Sequence, residues 1–470
     1  MDWKRIVPGI LGFFILIASK QVLAEPKFDQ ILAKHKIPRE SLGLLIVDQD
    51  GKNIYSVNEE KMMIPASITK LATTLGSVAN QELGTQFKTQ ILTINEPVKG
   101  VLKGPIYFKG GGDPSFVSEN LWYLVNIFKR SGIKEIQGDI IVDDSLFDRV
   151  RYDESREDVR VSRAYDAPVG ALSFNWNSVN VFVRAGKKGS AGVVFIDPEN
   201  EYFDIDNRVS TVAGAVKEIS VEKVAISGSQ REKIIVRGKI GERATEHVVY
   251  ANISNPDIWA GENLKSFLEQ RGITVSGKVK AGVTPATAEL VAEYASKPYG
   301  QILADMNKFS NNFVAEMLTK NLAVSPGKAA SLDAGVRRIQ DALVKAGLSS
   351  SQFKIINPSG LTRENRFSSS GMVKILQALR SEYKWRYDIL NSFPISGVDG
   401  TLKKRMKDDA VRGRIRAKTG LLNNVASLAG YASAENGREY VFSFMFNGGS
   451  DEANVRALFD ELLEEAVDSR

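Results

Sequence analysis

From about residue 86 to 290 the chain reads as short strands closed by glycine-rich turns, while the segments on either side carry helices and hairpins. Within this stretch "FKTQILTIN", "GPIYFKGGGDP", "GDIIVDDSLFD", "NSVNVFVRAG", "VEKVAIS", "EKIIVRGKI" and "ITVSGKVKAG" have strand character. Only "SENLWYLVNIFKRSG" and "AGENLKSFLEQRG" have helical spacing. A β-rich block of this length needs a core of its own, so it is expected to be an insertion. The expected organisation is a unit formed by 25–85 and 291–470, interrupted by two inserted domains over 86–290, the inner one near 175–250.

The flanks hold complementary halves of one sheet. "SLGLLIVDQDGKNIYSVN" reads as a β-hairpin around Asp50-Gly51, and "RIRAKTG", "NNVASLAGYAS" and "REYVFSFMFNG" as three strands, the last two joined at Asn436-Gly437. Packed together they make an α/β (α+β) fold: an antiparallel five-stranded sheet flanked by helices. With 470 residues, 43% of them hydrophobic, the chain can bury the cores of two or three domains. The closing helix, "DEANVRALFDELLEEAVDSR", has an acidic polar face, which argues against an anchor on anionic lipid.

At the N-terminus, Lys4 and Arg5 precede an apolar run from Ile6 to Ala18, and Val22-Leu23-Ala24 supplies small residues for cleavage. The run is shorter than the roughly 20 residues that span a bilayer. Residues 1–24 are therefore expected to be a cleaved signal peptide, leaving a periplasmic protein with no transmembrane anchor; the alternative is an uncleaved anchor. The exported chain has no cysteine, so no disulfide supports it and no thiol chemistry is open to it. Its net charge of +6 is spread along the chain without the basic runs that track nucleic acid, so no nucleic-acid partner is expected. Of two histidines, His35 reads as a solvated helix face and His247 as part of a strand; neither sits in a metal motif, and no metal or cofactor is expected. A Ser-His-Asp triad is thereby disfavoured.

In "MMIPASITKLATTLGSVANQ", Ile68, Leu71, Ala72, Leu75, Val78 and Ala79 recur at helical spacing, so a helix is expected to begin near Ser67. Ser67 and Lys70 then share a face. A serine hydroxyl needs a base, and a lysine can serve if burial or neighbouring cations depress its pKa. The pair is equally a helix start with a capping serine, and S-x-x-K recurs at Ser131/Lys134 and Ser351/Lys354. S-x-N at Ser310/Asn312 is also common, whereas Lys418-Thr419-Gly420 is the one K-T-G in the chain.

In that order the three motifs resemble the penicillin-recognising acyl-serine transferases. The long block between Ser67 and Ser310, with "IPASITK", "YFKGGGDPSF", "YDAPVGALSFNWN", "NPSGLTRENR", "PISGVDGTLKKRM" and "RAKTG", resembles the D-Ala-D-Ala carboxypeptidase/endopeptidase family of penicillin-binding protein 4, the S13 peptidases, over nearly the whole mature chain. The resemblance implies a transpeptidase/β-lactamase-like fold and hydrolysis of peptidoglycan stem peptides and cross-links, with β-lactams as inhibitors. Ser67 is the implied nucleophile and Lys70 its base. Ser310, Asn312 and Lys418 relay the proton and orient substrate, and the N–H groups of Ser67 and Leu421 form the oxyanion hole. Thr419, Gly420, Leu421 and Tyr165 are the implied substrate-binding positions.

Three departures stand out. Leu421 occupies a place where the family usually has a hydroxyl that helps hold a terminal carboxylate, which implies a lean toward cross-links. Arg160, with Asp158 nearby, aligns with an acid that reads the stem side chain upstream of the Tyr165/Pro168 match. Asn357 and Asn311 replace frequent aspartates. Competing readings are a β-lactamase, for which no deacylation base is identifiable, and a non-catalytic peptidoglycan-binding module, which would not need Ser67 and Lys70.

Overall fold

The structure, a computed structural model, describes residues 27–156 and 164–468. The proposed signal peptide and the pair Arg160/Asp158 lie outside them. At its centre is the expected five-stranded antiparallel sheet, in the order Ile415–Leu422, Val425–Ser433, Glu439–Asn447, Leu42–Asp48 and Asn53–Val57. Gly51 and Gly437 take positive φ (84° and 81°) at the two hairpin turns, where a side chain would be strained.

The inner strands read as continuous apolar runs because both faces are covered. On Glu439–Asn447, Val441 and Met445 join the core beneath the helices Lys70–Asn80, Leu332–Lys345 and Ser369–Ser381. Phe442, Phe444 and Phe446 point the other way, against Phe28–His35 and Glu452–Asp468. Each such side chain contributes roughly 1.5–3 kcal/mol by leaving water. His35 is not on a solvated face: it is buried, with Nδ1 2.8 Å from Asn454 Oδ1 and Nε2 3.2 Å from Glu461. It ties the first helix to the last, which sequence periodicity over so short a helix does not disclose.

Between 88 and 295 the chain builds a second core running from Ile91 to Ala292. A mixed five-stranded sheet (Lys88–Thr93, Ile106–Lys109, Ile140–Asp143, Val279–Ala281, Glu289–Ala295) packs with the helices Ser118–Lys129 and Pro256–Gln270. Two three-stranded sheets lie between residues 178 and 252, and His247 begins one of their strands, as its alternating surroundings predict.

The edge strand Ile415–Leu422 positions the site. Ala417 N donates to Pro394 O and Ser396 N to Ile415 O (both 3.0 Å), so the segment 394–396 covers the first half of that edge. Backbone groups of alternate residues face the same side. Thr419 and Leu421 therefore present theirs along the second half, beyond the covering segment.

Candidate active site

Ser67 lies in a 3-10 turn, Ala66–Thr69, and the α-helix begins only at Lys70. The tighter turn eclipses residues three apart, and Lys70 Nζ sits 3.1 Å from Ser67 Oγ. Ala66 is forced to φ +48°, a conformation that costs a non-glycine residue roughly 1–2 kcal/mol. Its surroundings hold it there. Thr69 Oγ1 donates to Ala66 O (2.8 Å), and Ser427 Oγ to Pro65 O (2.6 Å). Gly360, at φ +83°, packs so closely that a Cβ would stand 2.1 Å from Ala66 O.

Lys70 is completely buried. Besides Ser67, its amine meets Asn312 Oδ1 (2.7 Å) and the carbonyl of Ser359 (2.5 Å). Burial is the main cause holding its pKa well below the ordinary lysine value; the nearby Lys418 charge pushes the same way, Glu316 opposes and Arg156 reinforces. A neutral amine beside a serine hydroxyl can take its proton.

The other two motifs converge on the same spot. Ser310, at φ +55°, links the helices Tyr299–Lys308 and Asn312–Asn321, and its Oγ accepts from Lys418 Nζ at 2.7 Å. Lys418 also donates to Thr419 O (2.7 Å), and its burial lowers its pKa to about 7. Asn311 caps the Asn312 helix, accepting from Val314 N at 3.1 Å; aspartate and asparagine cap equally well, so this departure leaves the geometry intact.

Gly420 is a requirement of this packing: a Cβ there would stand 2.2 Å from Ser427 Oγ, 2.8 Å from Pro65 O and 2.9 Å from Ser67 N. The strand edge and the Ser67 turn thus meet at backbone distance, with Leu421 N–H on the open edge. The Leu421 side chain alternates to the side away from Lys418 and is 43% exposed. Thr419 Oγ1 donates to Thr401 Oγ1 (2.8 Å). Tyr165 is 57% exposed, and its carbonyl, not its ring, approaches the cluster, accepting from Asn312 Nδ2 at 3.4 Å.

Sequence reasoning missed a buried shell behind Lys70. Ser359 Oγ donates to Glu316 Oε1 (3.1 Å) and Asn357 Oδ1 (2.6 Å). Arg156 Nε donates to Glu316 Oε1 (3.1 Å), and its terminal nitrogens pair with Glu316 Oε2 and, at 2.6 Å, with Asp166. Asn357 Nδ2 donates to Asp153 (2.6 Å) and Glu316 (3.3 Å). An aspartate at 357 would set a third carboxylate against those two, so asparagine suits this chain.

Comparison with known proteins gives a consistent result. The model of the D-Ala-D-Ala carboxypeptidase 3 (S13) family matches residues 24–466. A D-alanyl-D-alanine carboxypeptidase of Actinomadura sp. (strain R39) is 29% identical over 441 residues, covering 90% of this chain and 81% of the relative. The crystal structure of penicillin binding protein 4 (dacB) from Haemophilus influenzae superposes with a TM-score of 0.77 at 23% identity, covering 93% of this chain and 99% of that one. The same protein complexed with a novel β-lactam superposes at 0.75 and 22% identity, covering 94% and 99%. Among the described residues no helix is long and apolar enough to cross a membrane.

Proposed function

The chain belongs to the D-Ala-D-Ala carboxypeptidase 3 (S13) family, and we propose that it hydrolyses peptidoglycan stem peptides and cross-links through an acyl-enzyme on Ser67. One observation carries this reading: a fully buried lysine amine lies 3.1 Å from a serine hydroxyl that no histidine approaches. His35 is engaged by the last helix, and His247 lies on a strand paired to Val183.

Neutral Lys70 takes the proton as Ser67 Oγ attacks the carbonyl of a D-alanyl peptide bond. Negative charge develops on the carbonyl oxygen between Ser67 N–H and Leu421 N–H, donors already fixed by the turn and the strand edge. Ser310, bonded to Lys418, relays the proton taken by Lys70 to the leaving amine, which returns Lys70 to its neutral form, while Asn312 holds Lys70 and orients the substrate amide. Water completes hydrolysis of the ester. Residues 25–85 and 291–470 form the catalytic unit and 86–290 two inserted domains. Residues 1–24 direct the chain to the periplasm.

Intact-mass spectrometry after benzylpenicillin treatment tests the chemistry: one stable adduct mapping to Ser67 supports it. Rapid turnover without adduct would make the protein a β-lactamase, and no reaction would make it a binding module. Digestion of whole peptidoglycan then measures cleavage of cross-links against release of terminal D-alanine.

A further inference from the structure

Away from Ser67, a cavity of about 290 Å³ lies between the end of the helix Ser369–Ser381, the helix Arg386–Ser392 and the start of the strand Ile415–Leu422. Four arginines line it, Arg380, Arg386, Arg414 and Arg416, against one carboxylate, Glu439. Arg380 pairs with Glu439 at 2.5 Å and Arg414 with the mostly exposed Glu435 at 3.0 Å. Among the described residues the Arg416 side chain donates to the carbonyl of Leu390 (3.1 Å) and has no ion-pair partner. Arg386 has no hydrogen-bond or ion-pair partner among the described residues. Its charge, like that of Arg380, acts on Tyr431 in the cavity wall, whose hydroxyl donates to Leu376 O and offers no counter-charge.

We propose that this cavity is a phosphate-binding site. Guanidinium groups crowded round one space repel one another unless an anion fills it, and their forked donors match phosphate oxygens in pairs. Here they come from two helices and from the start of a strand. A planar carboxylate satisfies one such fork, whereas a tetrahedral phosphate presents oxygens in several directions. The volume lies just under the usual range for small-molecule sites, about 300–1,000 Å³. It admits a phosphate or a small phosphate ester. The turn between the two helices carries the exposed Tyr383 (79%) with Lys384, and the first turn of the second helix carries the exposed Tyr387 (72%), residues suited to meet a phosphate displayed on a lipid surface.

Calorimetric titration of the purified protein with inorganic phosphate and with glycerol phosphate at low ionic strength tests the site. Co-sedimentation with phosphatidylglycerol or phosphatidylcholine vesicles distinguishes the source. Saturable binding is expected in at least one arm, weakened tenfold or more in Arg386→Gln, with penicillin acylation of Ser67 unchanged as the check on folding. Binding of the soluble phosphates alone supports the site with a free ester as ligand. Binding of phosphatidylglycerol vesicles alone, lost in Arg386→Gln, supports it with a lipid headgroup. No saturable binding in either arm, equal binding by Arg386→Gln, or displacement of phosphate by equimolar acetate would overturn the proposal.

Discussion

Replacing Arg156 by methionine, or Glu316 by glutamine, is expected to move the pH dependence of acylation in opposite directions. Lys70 reaches this pair through Ser359, whose carbonyl takes the amine and whose hydroxyl bonds Glu316. Removing the Glu316 charge takes away an influence that raises the Lys70 pKa, and removing Arg156 takes away one that lowers it. With Ser359 bridging the amine and Glu316 (2.5 and 3.1 Å), unit charges on the order of 7 Å apart in an effective dielectric of about 20 interact by about 2 kcal/mol, or between one and two pH units, with a smaller effect for Arg156 behind Glu316. On the proposed mechanism only neutral Lys70 accepts the Ser67 proton, so the acid limb of the acylation rate is expected to track that pKa. It should move to lower pH in Glu316→Gln and to higher pH in Arg156→Met.

The double variant removes a neutral pair and should leave the limb near its original position. Stability separates the same variants. Glu316→Gln leaves Arg156 with Asp166 alone of its two carboxylates, and Arg156→Met takes the cation from both, so the second change should cost more, up to about 3–5 kcal/mol, and the double change less than the sum. The assay is the second-order rate of penicillin acylation across pH, paired with denaturant unfolding. Limbs that move in the same direction, or a double variant displaced as far as either single one, would refute electrostatic control by this pair.

Gly420→Ala should lower acylation at least a hundredfold with modest loss of stability, because the new methyl meets Ser67 N and Pro65 O; single-turnover acylation measures it. Lys418 has a folded pKa of about 7 against an ordinary 10.5, so between those values the unfolded chain binds more protons and stability rises with pH. Lys418→Met should flatten that rise, by at most about 1.4 kcal/mol per pH unit, as followed by unfolding at pH 7 and 9. Leu421→Thr should raise terminal D-alanine release relative to cross-link cleavage by no more than about fivefold, the worth of one hydrogen bond of about 1 kcal/mol. A larger gain would contradict a side chain turned away from Lys418.

The central sheet was legible because its signals are local: alternation with period two, two glycine turns, and runs too apolar for a surface strand. The convergence of Ser67, Ser310 and Lys418 was legible only through their order, since S-x-x-K and S-x-N each recur in the chain. The buried shell was hidden by a pattern that resembles a surface. Glu316 and Lys320 stand four apart on one helix, the spacing of an exposed ion pair. In the structure both are buried, at 1% and 2%, and they ignore each other. Glu316 turns to Arg156, and Lys320 to Asp148 and the carbonyl of Val150. The ion-pair partners of both come from residues 148–156, far upstream, and no helical period carries that information.

That hidden pairing changes what the interrupting segment does. Burial does most to keep the Lys70 amine neutral, and charges from three distant parts of the chain adjust it: Lys418 on the edge strand, Glu316 on the helix after Ser310, and Arg156 within the stretch that separates Ser67 from Ser310. A chain without residues 86–290 would keep every residue of the three motifs and lose the one guanidinium that neutralises Glu316. Glu316 would then favour the protonated amine, which cannot accept a proton from Ser67. On the proposed mechanism the segment between the motifs therefore contributes to the base, because Arg156 reinforces the lowering of the Lys70 pKa that burial begins and Glu316 opposes.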